Sequence, residues 1–178
     1  MTKPKATRPF PPIPPNPLFL KDEELIEGLE LLEFALQGLK SEQDSILDEV
    51  GLGRSHQQLL HYIGRSPGIN MVDLLKIVPL TKQSLSRLLG ELTTRQLIDQ
   101  TQDEADRRRQ RLELTLEGKA LDQQLNDGLR RRLAVAYRAV GAEAVAGFHQ
   151  VLEGLIDEPA RRYLQSVRTG SRQHWRTE

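Results

Sequence analysis

At 178 residues, with 28% charged and 38% hydrophobic residues, the chain has the size and composition of one domain with a real core, with or without appended helices. Its formal net charge is +0, no apolar run approaches a membrane span, and the N-terminal stretch lacks the apolar core of a signal peptide, which makes a cytoplasmic location away from membranes the simplest expectation. The absence of cysteine excludes disulfides, thiolate chemistry and thiol-based peroxide sensing within the chain.

Residues 1–20 are so rich in proline that helix and sheet ladders are disfavoured, and an extended arm is expected. Its PxxP spacings suit peptide recognition, whereas Ile13, Leu18, Phe19 and Leu20 suit packing on the protein itself or on a sister subunit. Residues 21–50 then read as one long helix. Leu25, Leu29, Leu32, Leu36 and Leu39 step by four and three, and Ile46 and Val50 continue the seam, which points to oligomerisation, with an ordinary core helix as the competing reading. The outer face is strongly acidic, with Glu23, Glu24, Glu27, Glu30 and Glu33 among its residues, so the neutral total hides a segregation of charge.

Residues 51–116 have the pattern of a compact domain. Gly51 and Gly53 break the first helix, a second covers about 54–63 with Gly64 at its end, and Asn70 caps a short third helix over 71–77 that buries Leu74 and Leu75. Pro79 forces a turn and Thr81 caps a fourth helix, whose Leu85, Leu88, Leu89 and Leu92 share one face. Gln83, Arg87 and Gly90 lie opposite, flanked by Lys82, Ser84 and Ser86, with no acid before Glu91. Gln and Arg can bond base edges, and Ser and Lys suit phosphates; two short helices joined by such a turn form a helix-turn-helix candidate. Residues 97–101 are strand-like, and 111–116 alternate with Leu112, Leu114 and Leu116 on one side, so 102–110 form the tip of a charged hairpin.

Residues 117–178 return to helix. Leu121, Leu125, Leu129, Leu133 and Tyr137 stripe one helix ending near Gly141, and Val145, Phe148, Val151, Leu152 and Leu155 stripe another, which Pro159 closes. The tail from Arg161 fits no element. No nucleophile–base motif, Gly-rich phosphate loop or metal-ligand spacing stands out, so an enzyme is not expected and no cofactor is implied.

The run Asp106-Arg107-Arg108, followed by Leu114-Thr115 and Gly118, resembles the DxR…LTxxG wing signature of MarR-type winged-helix regulators, and the order of helices resembles that family from about Lys21 to Ile156. The resemblance implies a mainly α winged helix-turn-helix fold with long N- and C-terminal dimerisation helices. It further implies a homodimer that binds a pseudo-palindromic site on double-stranded DNA, more often as repressor than activator. Thr81, Lys82, Gln83, Ser84, Ser86 and Arg87 would face the major groove, Arg108 would enter the minor groove, Arg107, Arg109 and Arg111 would meet phosphates, and Asp106 would brace the wing. Gln96 departs from the family, which usually has glycine there; Pro79 stiffens a turn that is commonly flexible.

Family members are often released from DNA by a small aromatic or phenolic effector. Phe34, His56, His61 and Tyr62 are the candidate lining here, with one histidine expected partly buried and the other at the surface. His56 and His61 are five apart and do not stack as a metal pair, which disfavours zinc sensing. The competing class is a winged-helix protein-interaction module without sequence-specific DNA binding.

Overall fold

Leu85, Leu88, Leu89 and Leu92 are all buried, and around them the rest of the core assembles. The structure, a computed structural model, describes residues 21–102 and 110–169. It divides into two units, 1–40 and 41–178, with the division inside the first helix, α1 (Asp22–Glu49). In the first unit, α1 opens with Asp22, Glu23 and Glu24, acids that complement the positive end of the helix dipole. Its leucine seam is largely uncovered: Leu29 is 66% exposed and Leu25 and Leu36 are also exposed.

The second unit begins with the last turns of α1, where Leu47 is buried in the core and the neighbouring seam residue Ile46 packs against it, partly covered. Gln43 is buried beside it and donates to the Leu125 carbonyl at 3.2 Å. The helix ends in a Schellman motif. Gly51 has φ +63°, the Gly51 N–H bonds the Asp48 carbonyl at 3.1 Å, and the Leu52 N–H reaches back to Leu47 at 2.9 Å. Next come α2 (Arg54–Arg65), α3 (Met71–Ile77), α4 (Lys82–Thr94), β1 (Ile98–Gln102), β2 (Gln110–Leu114), α5 (Leu116–Leu155) and α6 (Glu158–Thr169). Helix α2 runs through Gly64, which the sequence suggested as its end, because a single interior glycine costs about 1 kcal/mol and is not a stop on its own.

Asn70 caps α3 as expected, its side chain accepting from the Asp73 N–H at 3.0 Å. Leu74 is fully buried, while Leu75 is only partly covered. Strands β1 and β2 pair antiparallel from Ile98↔Leu114 to Gln102↔Gln110, and Ile69 adds a bridge to Leu112 that the sequence pattern did not reveal. Strand β2 stops at Leu114. Leu116, placed by alternation on the buried side, is the first residue of α5 and is 79% exposed, because Thr115 ends the strand as the helix cap. Helix α5 breaks at Gly141 (φ 82°, ψ 172°), and the Tyr137 hydroxyl meets His149 Nε2 across the break at 2.9 Å.

Helix α6 takes in the tail from Arg161 to Thr169 that no sequence pattern placed, and Pro159, read as closing the helix before it, stands just beyond the α5 cap at Ile156. Asp157 accepts the Ala160 N–H at 2.9 Å, so Pro159 lies in the first helical turn, where its missing N–H has no intrahelical partner to lose. Tyr163 of α6 is 5% exposed and packs edge-on against Tyr62, with ring centroids 5.1 Å apart. The mainly α fold with a two-stranded wing is therefore the one the wing motif implied.

The end of α4 is a second Schellman motif, with Gln96 in the place that Gly51 takes in the first. Gln96 has φ 58°, its N–H bonds the Thr93 carbonyl at 2.9 Å, and the Leu97 N–H bonds Leu92 at 3.0 Å. Left-handed backbone costs an L-residue about 1–2 kcal/mol, and glycine's greater freedom in the unfolded chain would offset roughly 0.5–1 kcal/mol of the relief. Gln96→Gly should therefore stabilise the fold by about 0.5–1 kcal/mol, read as a higher urea midpoint at constant m; a lower midpoint would contradict the assignment.

Candidate nucleic-acid interface

Helix α4 is positioned at both ends and along one side. At its start the Thr81 hydroxyl accepts the Ser84 N–H at 3.2 Å and donates to the Ser84 hydroxyl at 3.0 Å, so both residues contribute to the cap as well as to the surface. Its leucine face is buried, and Lys82, Gln83, Ser86, Arg87 and Gly90 are exposed while Ser84 is half-buried. The result is a polar surface that spans the first turns of a rigidly seated helix. At its end Arg95 donates to the Val50 carbonyl at 2.7 Å and the Gly51 carbonyl at 3.0 Å, satisfying acceptors at the carbonyl end of α1.

The exposed face carries an ion pair between Arg87 and Glu91. Glu91 also accepts from His56, Nε2 to Oε2 2.9 Å, while the Gly53 N–H donates to His56 Nδ1 at 3.1 Å. Because Nδ1 is an acceptor, Nε2 carries the hydrogen and points at the carboxylate. The bond from His56, with Arg87 adding to it, holds the Glu91 carboxyl below the usual glutamate range. Neither Glu91 nor Arg95 was picked out from sequence as part of the site. The i, i+4 spacing of Arg87 and Glu91 could have signalled the pair; the His56 contact spans two helices and had no local signal.

On the hairpin, the Arg111 guanidinium lies over Gly68 and stands 4.0 Å from Glu113. Asp106, Arg107, Arg108 and Arg109 lie outside the described residues. The LTxxG portion of the motif is visible, and each residue has a task. Leu114 is in the core, the Thr115 hydroxyl accepts the Gly118 N–H at 3.0 Å and donates to the Gln96 carbonyl at 2.7 Å, and a Cβ on Gly118 would fall 1.9 Å from the Leu97 oxygen.

Residues 50–109 match the family model described as MarR family. The chain is also 40% identical over 151 residues to the HTH-type transcriptional regulator PetP of Rhodobacter capsulatus, spanning 85% of this chain and 91% of that protein. The chain belongs to the MarR family. As a MarR-family transcriptional regulator it shares its fold with a crystallised MepR mutant from S. aureus (TM-score 0.59, 22% identity, 71% of this chain and 96% of the other). It is likewise similar to a MarR mutant from E. coli complexed with operator DNA (TM-score 0.55, 20% identity, 76% of this chain and 97% of the other). Family membership places the chain among non-enzymatic regulators.

In this MarR-family chain the four candidate effector residues face different neighbours. Phe34 belongs to the first unit and is exposed. His56 is buried against Glu91, so neither histidine is a plain surface residue: His61 is half-buried, edge-on to Tyr62 at 5.7 Å. Tyr62 in turn meets Tyr163. Among the described residues no cluster of three or more His, Cys, Asp or Glu could hold a metal ion, and no helix is long and apolar enough to cross a membrane.

Burial pushes the His61 imidazole below its ordinary range, Arg65 and Arg130 add to the effect, and Asp122 opposes it. The same burial raises the Asp122 carboxyl, with His61, Asn126 and Arg130 pulling the other way. A base whose folded pKa is depressed resists the proton that the unfolded chain accepts, so this site loses stability as the pH falls below 6.5. Acidification from about pH 7.5 to about 5.5 should therefore lower the urea midpoint, and His61→Gln should flatten that decline. An unchanged slope in the variant would show that His61 is not its source.

Proposed function

We propose that the chain acts as a homodimeric, sequence-specific repressor that reads a pseudo-palindromic operator. Helix α4 enters the major groove, and the arginine-rich hairpin containing Arg108 enters an adjacent minor groove. The observation that carries this reading is the α4 face: exposed Lys82, Gln83, Ser86 and Arg87 on a helix whose opposite side is fixed by four buried leucines. Thr81 and Ser84 supply hydroxyls at the helix start, and Arg107, Arg109 and Arg111 supply cations for phosphates beside the wing.

Two exposed apolar sets support dimerisation. On α1 they are Leu25, Leu29, Phe34 and Leu36; in the C-terminal part of α5 they are Val140, Phe148, Val151 and Leu155. Surfaces of this kind are rare on monomers and suit an obligate interface. Release by a small aromatic or phenolic effector is supported by the adjacent rings of His61 and Tyr62, which could stack on such a molecule. A cytoplasmic location accords with a DNA-binding role.

Binding to duplexes selected from a random pool by the chain itself tests the reading. Affinity should fall steeply with salt, by roughly 10³ or more between about 50 and 200 mM, as several phosphates are neutralised. Gln83→Ala and Arg87→Ala should each relax preference at particular base pairs by about 1–3 kcal/mol, and Arg108→Ala should weaken binding at A·T-rich flanks. Salt-insensitive or absent binding would favour a protein-interaction module instead.

A further inference from the structure

We propose that Glu91 is a positioning residue for sequence readout: anchored by His56, it holds the Arg87 guanidinium in one pose on the exposed face of α4. The inference rests on the reading above in which Arg87 contacts a base. It begins from a weakness of ordinary surface ion pairs. An exposed Arg–Glu pair at i, i+4 contributes little, because both long side chains must be ordered to form it. Glu91 is not ordinary in this respect, because one of its oxygens is already committed to the core side of the helix.

The imidazole that holds it is itself fixed. His56 is 9% exposed, its Nδ1 accepts the Gly53 N–H, and its Nε2 meets Glu91 Oε2 at 2.9 Å. The second carboxylate oxygen, Oε1, faces Arg87. A chain of donors therefore runs from the α2 N-terminus through His56 to Glu91, and Arg87 donates to the same carboxylate from the exposed side. Side-chain order that exists before DNA arrives does not have to be created on binding, which favours the duplex matching the preset pose. The same acid neutralises Arg87 toward phosphates, weakening contacts that carry no sequence information. Glutamine cannot substitute for it. The two donors approach two different oxygens, and an amide would set an NH2 donor against one of them.

The test is selection from a random duplex pool by the full chain and by Arg87→Ala, Glu91→Ala, Glu91→Gln and the double alanine variant, with affinities then measured for the selected and a scrambled duplex. Arg87→Ala and Glu91→Ala should flatten the same base position, each reducing the selected-to-scrambled ratio about tenfold. Glu91→Ala should also tighten binding to the scrambled duplex and steepen the log–log salt slope by about 1, as Arg87 turns to a phosphate. Glu91→Gln, close to isosteric and expected to fold, should lose the discrimination too, and the double variant should discriminate no worse than Arg87→Ala. Retained preference at that position in both Glu91 variants would overturn the proposal. So would an equal weakening on both duplexes accompanied by a lower thermal midpoint, the mark of a purely structural staple. If Arg87→Ala flattens no position, the base-contact reading falls and this proposal with it; if only the Glu91 variants are silent, the positioning claim falls alone.

Discussion

The junction of Gln96, Leu97, Thr115 and Gly118 is the constraint on which the arrangement of the second unit depends. There the end of α4, the start of β1, the end of β2 and the start of α5 meet within a few bonds. The Leu97 carbonyl accepts the Thr115 N–H at 3.2 Å and lies so close to Gly118 that any side chain there would collide with it. The Thr115 hydroxyl does two jobs at once, capping α5 and donating to the Gln96 carbonyl. Because both hairpin strands leave from this point, the direction of α4 and the direction of the wing are not independent. The left-handed conformation of Gln96 is the local cost of the sharp exit from α4, and the hydrogen bonds around it sustain it.

The other fixings of α4 are polar and come from the α1–α2 corner. Arg95 closes the carbonyl end of α1, and His56, whose ring also accepts the α2 N-terminal N–H, reaches Glu91. A change in that corner would therefore be felt by the helix and by the pose of Arg87. Leucine packing sets where α4 lies; the polar contacts set how its exposed side chains are presented. This division of labour follows from chemistry, since burial is non-directional whereas hydrogen bonds fix orientation.

Most of the fold was legible because periodicity and caps are local. The spacing of Leu85, Leu88, Leu89 and Leu92, the caps Asn70 and Thr81, and the break at Gly141 can each be read from a few neighbouring residues. Legibility failed where one residue serves two elements. Leu116 continued an alternation that Thr115 had already ended, and Pro159, read as closing the helix before it, also lies in the first turn of the helix that follows. In the candidate site, the exposed face of α4 was apparent from its angular pattern. Glu91 stands i, i+4 from Arg87, a spacing a sequence can show, whereas the His56 and Val50 contacts that fix Glu91 and Arg95 are tertiary and encoded by no spacing. Gln96 was recognisable as a departure from the family pattern, and its positive φ explains why glycine suits that place.

The central claim is that two copies of α4, carried on a dimer, lie in successive major grooves. Hydroxyl-radical footprinting of a duplex selected by the chain tests it most directly. Two protected clusters on one face of the duplex, about one helical turn or roughly 34 Å apart centre to centre, are the predicted result. A single cluster, or protection without helical periodicity, would contradict it.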